Sequence, residues 1–366
     1  MLSLQDRNWM PFFMIDLFER FEGGKGKGRN HLVETDDGGI PYIGATNRNN
    51  GVLCFVQPDD YSESLKQEGN CIGFIRNGDG SAGYAIYKSS SFVSTSDVMY
   101  GYASWLNRWT GLFFVTAQNQ IKSKYSHGHK RSPERLKRDK VMLPVDMLGE
   151  PDWKFMENYI REREAAHAQR CREFLIKRIA DIERERERER VDDAVGYLTS
   201  LAEKTWRSYR LSSIGDVQSG RDIYASDRMK GNTPYITSGS QNNGIGYFVA
   251  NSNDTLDSGY IALNRNGAVG MAFYHPYPSL MGNDCRKLHV KAADGNPYVG
   301  NFIALAISKQ SECFSYSRKL GTTRARALRI MLPAADDGQP DYAYMEGYGR
   351  ELTLHILCRQ LSFIES

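Results

Sequence analysis

The chain has 366 residues, a quarter of them charged, with 47 Lys and Arg against 44 Asp and Glu for a formal net charge of +3. That length suits about two domains, each able to bury its own core. No apolar run reaches the ~18 residues of a membrane span, and the opening MLSLQDRNW lacks the basic-then-apolar layout of a signal peptide. Six dispersed cysteines without a C-x-x-C pair favour free thiols in a reducing cytoplasm over a disulfide framework or a zinc site.

In chain order, residues 1–147 read as short strands broken by turns. PYIGA, GVLCFV, NCIGFIR, GYAIYK and SFVST are apolar, β-branched or aromatic, with Gly and Asn pairs between them. GLFFVTAQNQI fits a strand or a helix. From 152 to 203 proline disappears and Gly196 is the sole glycine. Apolar residues recur there at Met156, Ile160, Cys171, Leu175, Ile179, Ile182, Val191, Ala194, Leu198 and Leu201, mostly three or four apart, the spacing of a long helix. Pro151 and Asp152 suit its start. The run ERERERER over 183–190 reads as a solvated helical stretch. Strand grammar returns over 206–336 with TPYITS, GIGYFVA, SGYIALN and VGMAFYH, and a second, shorter helix follows.

The chain repeats itself. MLPVDMLGEPDWKFMENYIRE at 142–162 aligns without a gap with MLPAADDGQPDYAYMEGYGRE at 331–351, an offset of 189 residues. Pro41-Tyr42-Ile43 with Asn49-Asn50-Gly51 returns as Pro234-Tyr235-Ile236 with Asn242-Asn243-Gly244. Ile72 with Arg76-Asn77-Gly78 returns as Ile261 with Arg265-Asn266-Gly267. A solenoid repeat would have a period of roughly 20–50 residues, so the copied unit is a domain plus its connector. The Arg-Asn-Gly triplets sit between apolar runs and signal hairpins.

Catalytic signatures are missing. Asn296-Pro297-Tyr298 lacks the second proline of an amino-methyltransferase motif and reads as a turn. His127-Gly128-His129 has no ligand at metal spacing and belongs to a basic loop. No P-loop, H-E-x-x-H or G-x-S-x-G occurs. Cations, by contrast, cluster at matched places. Head one carries Lys122, Lys124, Lys130, Arg131, Arg135, Lys137, Arg138 and Lys140; head two carries Arg318, Lys319, Arg324, Arg326 and Arg329. Lys25, Lys27 and Arg29 add a basic loop to the first head, and Arg221, Arg228 and Lys230 one to the second. Recurrence at equivalent places points to phosphate backbones. Base reading needs Arg, Asn and Gln on reaching loops. Asn47, Arg48 and Asn49 in one head, and Ser240, Gln241 and Asn242 in the other, have that chemistry. The Asn-Gly ends are also what a tight turn requires.

In this order of parts the chain resembles a specificity subunit of a type I, or compact type IIB-like, restriction–modification system. The resemblance rests on Trp9 with Ile15-Asp16-Leu17-Phe18 and Trp206 with Ile214-Gly215-Asp216-Val217 opening the heads. Each opening is followed by Pro-Tyr-Ile, Asn-Asn-Gly, Arg-Asn-Gly, a basic stretch, Leu-Pro and a helix. It implies an α/β chain of two sheet-rich target-recognition domains in tandem, 1–147 and 205–336. A central helical connector (148–204) and a shorter distal one (337–366) would pair as a partial antiparallel coiled coil. It further implies that each domain reads half of a bipartite double-stranded DNA target, and that the helices dock methyltransferase (modification) subunits. S-adenosylmethionine would sit in that partner, with no cofactor or metal in this non-catalytic chain. A restriction nuclease would be a further subunit or fused to the partner. The residues alone leave open a stand-alone metal-dependent nuclease and a coiled-coil protein adaptor.

Overall fold

The computed structural model describes residues 1–365 other than 27, 28, 37, 79, 127, 128, 191–199 and 316. It comprises two units, Met1–Cys171 and Arg172–Ser366, and each repeats the other's topology. In the first, Asn8–Phe13 pairs antiparallel with Lys140–Val145 and so closes the head where the chain enters and leaves it. A four-stranded sheet runs Arg20–Gly23, Val98–Tyr102, Cys71–Ile75, Ala85–Lys88, and a second runs Glu34–Thr35, Val52–Val56, Ile40–Ile43, Val93–Ser94. In the second unit Trp206–Arg210 pairs with Arg329–Pro333. Its main sheet runs Asp216–Ser219, Cys285–His289, Tyr260–Asn264, Ala272–His275, and a three-stranded sheet runs Ile245–Val249, Lys230–Ile236, Leu280–Met281. The Arg-Asn-Gly segments join antiparallel neighbours in both main sheets, as a hairpin should.

The central strands are covered on both faces, which is why CIGFI and YIALN read as continuous apolar runs. One face of the first head's main sheet packs Ile72, Phe74, Tyr87 and Met99 on Phe113 and Phe114 of the helix Arg108–Gln118. The other face meets the smaller sheet through Ile43, Cys71, Ile86 and Tyr100. In head two, Ile261, Leu263, Tyr274 and Leu288 pack on Val299, Ile303 and Ile307 of the helix Pro297–Ser308.

The segment GLFFVTAQ, ambiguous by periodicity, is helical because Asn107 caps it. The Asn107 Oδ1 accepts from Trp109 N and Thr110 N at 2.9 and 3.0 Å. Asn296 does the same for Tyr298 N and Val299 N at 3.1 and 3.2 Å. Asn-Pro-Tyr is therefore a helix start rather than the expected turn. Gly111 and Gly300 let these helices lie on the sheet, since a Cβ there would stand 2.4 Å from Tyr87 and 2.3 Å from Tyr274.

Each head meets its helix through a matched aromatic trio. Trp9 stacks on Phe113 at 6.1 Å, and Phe113 meets Tyr159 edge-on at 5.8 Å. Trp206, Phe302 and Tyr348 repeat this at 6.3 and 6.1 Å. Each indole donates to a carbonyl five residues upstream, Trp9 Nε1 to Leu4 O and Trp206 Nε1 to Leu201 O. The duplicated Leu-Pro…Gly…Pro-Asp run turns the last strand into the helix. Gly149 and Gly338 take positive φ (85° and 80°), and Asp152 and Asp341 cap the helices by accepting from Phe155 N and Tyr344 N.

The central helix spans Trp153–Arg190, 38 residues. The expected helix to 203 needs correcting. Residues 191–199, with Val191, Ala194, Gly196 and Leu198, lie outside the described residues, and residues 201–204 form turns. Leu201 belongs to the indole joint of head two rather than to a helical stripe. Within the second unit, Arg172 pairs with Glu365 at 2.9 Å and Arg186 with Glu351 at 3.1 Å. The order of these pairs reverses between the two helices, so the C-terminal helix Tyr342–Glu365 runs antiparallel to this part of the central one.

Candidate nucleic-acid interface

The two recognition-loop candidates share one backbone. Asn49, Asn50 and Gly51 take φ of 47°, 49° and 80°; Asn242, Asn243 and Gly244 take 52°, 52° and 72°. Consecutive left-handed residues suit only Asn and Gly, so these triplets are first of all turn chemistry. Gly51 N donates to Arg48 O and Gly44 N to Gly51 O; in head two Gly244 N donates to Gln241 O and Thr237 N to Gly244 O. The turn presents Asn47, Arg48 and Asn49 to solvent in one head and Ser240, Gln241 and Asn242 in the other. Head one anchors its turn twice more: Asn50 Nδ2 donates to Tyr87 O and Lys88 Nζ to Asn50 O.

The hairpin loops lie beneath these turns. Ser81 Oγ donates to Asn47 Oδ1 and accepts from Asn47 N, at 3.1 and 3.3 Å. In head two, Ala268 N donates to Ser238 O and Asn264 Nδ2 to Gly239 O. In head one the loop also brings the basic stretch to the turn. The Lys122 ammonium lies 4.6 Å from the Tyr84 ring centre. Its hydrogen bond holds the Tyr84 phenol below its usual range, and Asn47 adds to that effect.

The remaining expected cations divide by environment. Lys124, Lys130, Arg135 and Arg138 are exposed. Lys124, Arg135 and Arg138 line an open depression of about 530 Å³ together with Tyr125, His129 and Asp139. Arg135 also braces its loop, donating from Nη1 to Lys130 O at 2.9 Å, and Arg324 repeats this on Lys319 O at the same distance. Arg318, Arg324 and Lys230 are exposed, and Lys319 is half-buried. Arg221 is exposed and sits 3.4 Å from Asp254. Lys25 donates to Lys66 O at 3.4 Å. Arg29 begins a 3-10 turn, Arg29–His31, and Lys27 lies outside the described residues.

Arg131 is a correction. Its side chain is 0 % exposed, so it is no surface phosphate contact. The guanidinium pairs with Asp139 at 2.8 and 2.9 Å, reaches Gly83 O at 3.4 Å and lies over Phe74. Tyr125 OH donates to the same carboxylate at 2.8 Å. Burial works against its charge and Asp139 sustains it. Its charge is fully committed inside the head.

Sequence reasoning passed over Lys88, Tyr84, Arg265 and Arg286. The doubled Arg-Asn-Gly was the available signal for Arg265, but it pointed only to a hairpin. Among the described residues no cluster of His, Cys, Asp or Glu is placed to hold a metal, and no helix is long and apolar enough to cross a membrane.

Two heads of one topology, each with an Asn-rich turn and a basic stretch, match the type I restriction modification DNA specificity domain over residues 6–171 and again over 203–358. The chain belongs to that family. It is similar, at 27% identity over 340 residues and 93% of each chain, to the Type II restriction enzyme BgcI specificity subunit S.BcgI of Heyndrickxia coagulans. Its fold is like that of the type I restriction–modification S subunit from M. genitalium, at a TM-score of 0.54 and 15% identity, covering 100% of this chain and 95% of that one. The protein is thus a specificity subunit with two tandem recognition domains, a DNA-recognition component rather than a catalyst. As a family member it binds DNA and assembles with other subunits of such a system.

Proposed function

We propose that residues 1–147 and 205–336 are two target-recognition domains, each reading one half of a bipartite double-stranded DNA site. Residues 148–204 and 337–366 are the connectors on which methyltransferase subunits dock, in a cytoplasmic complex that also engages a nuclease. The observation that carries this reading is the repeated surface: a left-handed Asn-Asn-Gly turn presenting polar side chains above a hairpin, once in each head, with Lys122 beside it in head one and exposed Arg318 and Arg324 on head two. Base edges call for the former and phosphates for the latter. Arg48 and Gln241, exposed and one residue before the Asn pair, are assigned to base reading. Lys122, Lys124, Lys130, Arg318 and Arg324 are assigned to phosphates.

Mapping of adenine methylation in a methylation-free host tests this. Expressed with its methyltransferase, the chain should produce a split motif that neither gene yields alone. No new methylation, with both proteins associated, would sink the reading.

A further inference from the structure

The two heads differ in how they place buried positive charge. In head one Arg131 has its carboxylate, Asp139. The equivalent positions in head two are Leu320 and Leu328, both apolar; Leu320 is 0 % exposed. The matched backbone bonds Met14 N to Asp139 O and Leu211 N to Leu328 O, both 2.9 Å, fix that equivalence.

Head two carries another guanidinium on the same face of its sheet. Arg286 pairs across from Leu263, whereas head one has Met99 across from the equivalent Phe74. Arg286 is only 5% exposed. Its Nη1 donates to the carbonyls of Asn283 at 2.8 Å and Cys285 at 2.6 Å, and its buried Nε has no hydrogen-bond partner. The half-buried Arg265 donates its own Nη1 to the same Asn283 carbonyl at 3.4 Å. Two guanidinium groups thus share one neutral acceptor. Among the described residues neither nearby acid forms an ion pair with them: Asp284 Oδ1 accepts from Asn266 Nδ2 and Asp222 Oδ1 from Asn283 N. Burial and the neighbouring Arg265 both disfavour the charge on Arg286, which Asp284 only partly offsets. A guanidinium buried like that of Arg286, with the like charge of Arg265 on its water side, calls for an anion. The pair also sits at the hairpin loop whose Ala268 N holds Ser238 O, at the foot of the Ser240–Gln241 turn.

We infer that Arg265 and Arg286 form a guanidinium clamp for one phosphodiester group of the DNA backbone, seating head two beside its recognition turn. This rests on the DNA-reading assignment above. Arg265 is the outer member and Arg286 the inner one, and head one has no such pair.

The test uses the full chain with its methyltransferase. Arg286→Met installs the residue head one carries at that position, so folding should survive; thermal unfolding verifies this. Arg265→Gln, at a half-buried site, is the second variant. Both should bind target DNA roughly ten- to hundred-fold more weakly. The slope of log affinity against log salt should fall by about 0.9, one phosphate's worth. Unchanged affinity and slope in both variants, with the wild-type complex binding its target, would overturn the clamp alone. Failure of the wild-type complex to bind any DNA selectively would overturn the DNA reading beneath it.

Discussion

The Arg131–Asp139 pair offers a quantitative test, because the second head shows what replaces it. Removing Arg131 alone strands a carboxylate that is 7% exposed, relieved among the described residues by Tyr125 OH and by Lys124 at 3.7 Å. Removing Asp139 alone strands a fully buried guanidinium. Breaking a buried pair from one side costs about 3–5 kcal/mol, whereas replacing both members with apolar groups of similar volume is often neutral or stabilising. Arg131→Leu and Asp139→Leu should therefore each lower the melting temperature of the first head by roughly 6–20 °C. The double variant copies Leu320 and Leu328 and should recover most or all of the loss. Adding Tyr125→Phe, to match Phe314, completes the exchange by removing a hydroxyl that has lost its acceptor. Calorimetry on the full chain, which has two heads to melt, gives the four corners of the cycle. Additive losses in the double variant would refute the argument, since they would mean that the pair does not act as one unit.

Other expectations follow from the same geometry. Lys130→Gln should weaken binding on every sequence and reduce the salt slope by about 0.9 without affecting melting, a contrast with Arg131 that titrations at several salt concentrations will resolve. Gln241→Ala should change base preference in one half-site only, read from methylation of a randomised target library; an equal loss on all sequences would argue against a reading role. Gly51→Ala meets φ of 80° and Ile86 Cδ1 at 2.6 Å, so it should cost about 1–3 kcal/mol. Urea unfolding checks that figure, and an unchanged midpoint would mean the turn relaxes freely. His275 is buried, and its pKa is pushed down to about 4. The unfolded chain, with an ordinary value near 6.5, takes up the proton first. Its contribution is intact above about pH 6.5 and is lost as pH falls towards 4, up to roughly 3 kcal/mol. His275→Gln should flatten the stability of head two across that window; a slope equal to wild type would show that other groups govern it.

Much of the architecture was legible because it depends on local chemistry that the chain states twice. The Asn-Asn-Gly triplets suited tight turns as well as base reading, because Asn and Gly tolerate the left-handed conformations that the structure shows there. Pro151-Asp152 suited a helix start, and the repeat carries the same pair to Pro340-Asp341. Trp9 and Trp206 marked the head openings before their stacking partners were known. The helix at Arg108–Gln118 was not legible in this way: a strand and a helix buried on the same core share one apolar pattern, and the deciding group, Asn107, stands outside the run.

Charge was the harder matter. Arg131 sits in a stretch dense with cations, and composition treats all of them as solvated. Its burial depends on Asp139, Gly83 and Phe74, which the fold brings to it from three directions. Arg286 reads as one more polar residue in a strand until register sets it across from Leu263 and beside Arg265. The antiparallel seating of the C-terminal helix likewise rests on ion pairs between residues far apart in sequence. The sequence by itself determined the duplication, which is written in the chain, and the Asn-Gly turns, the start of the central helix and the sheet-then-helix order, because each of these depends on residues within a few positions of one another. Only the tertiary structure decided which cations face water and which are spent inside a head, because burial and pairing are properties of neighbours that the chain order does not list.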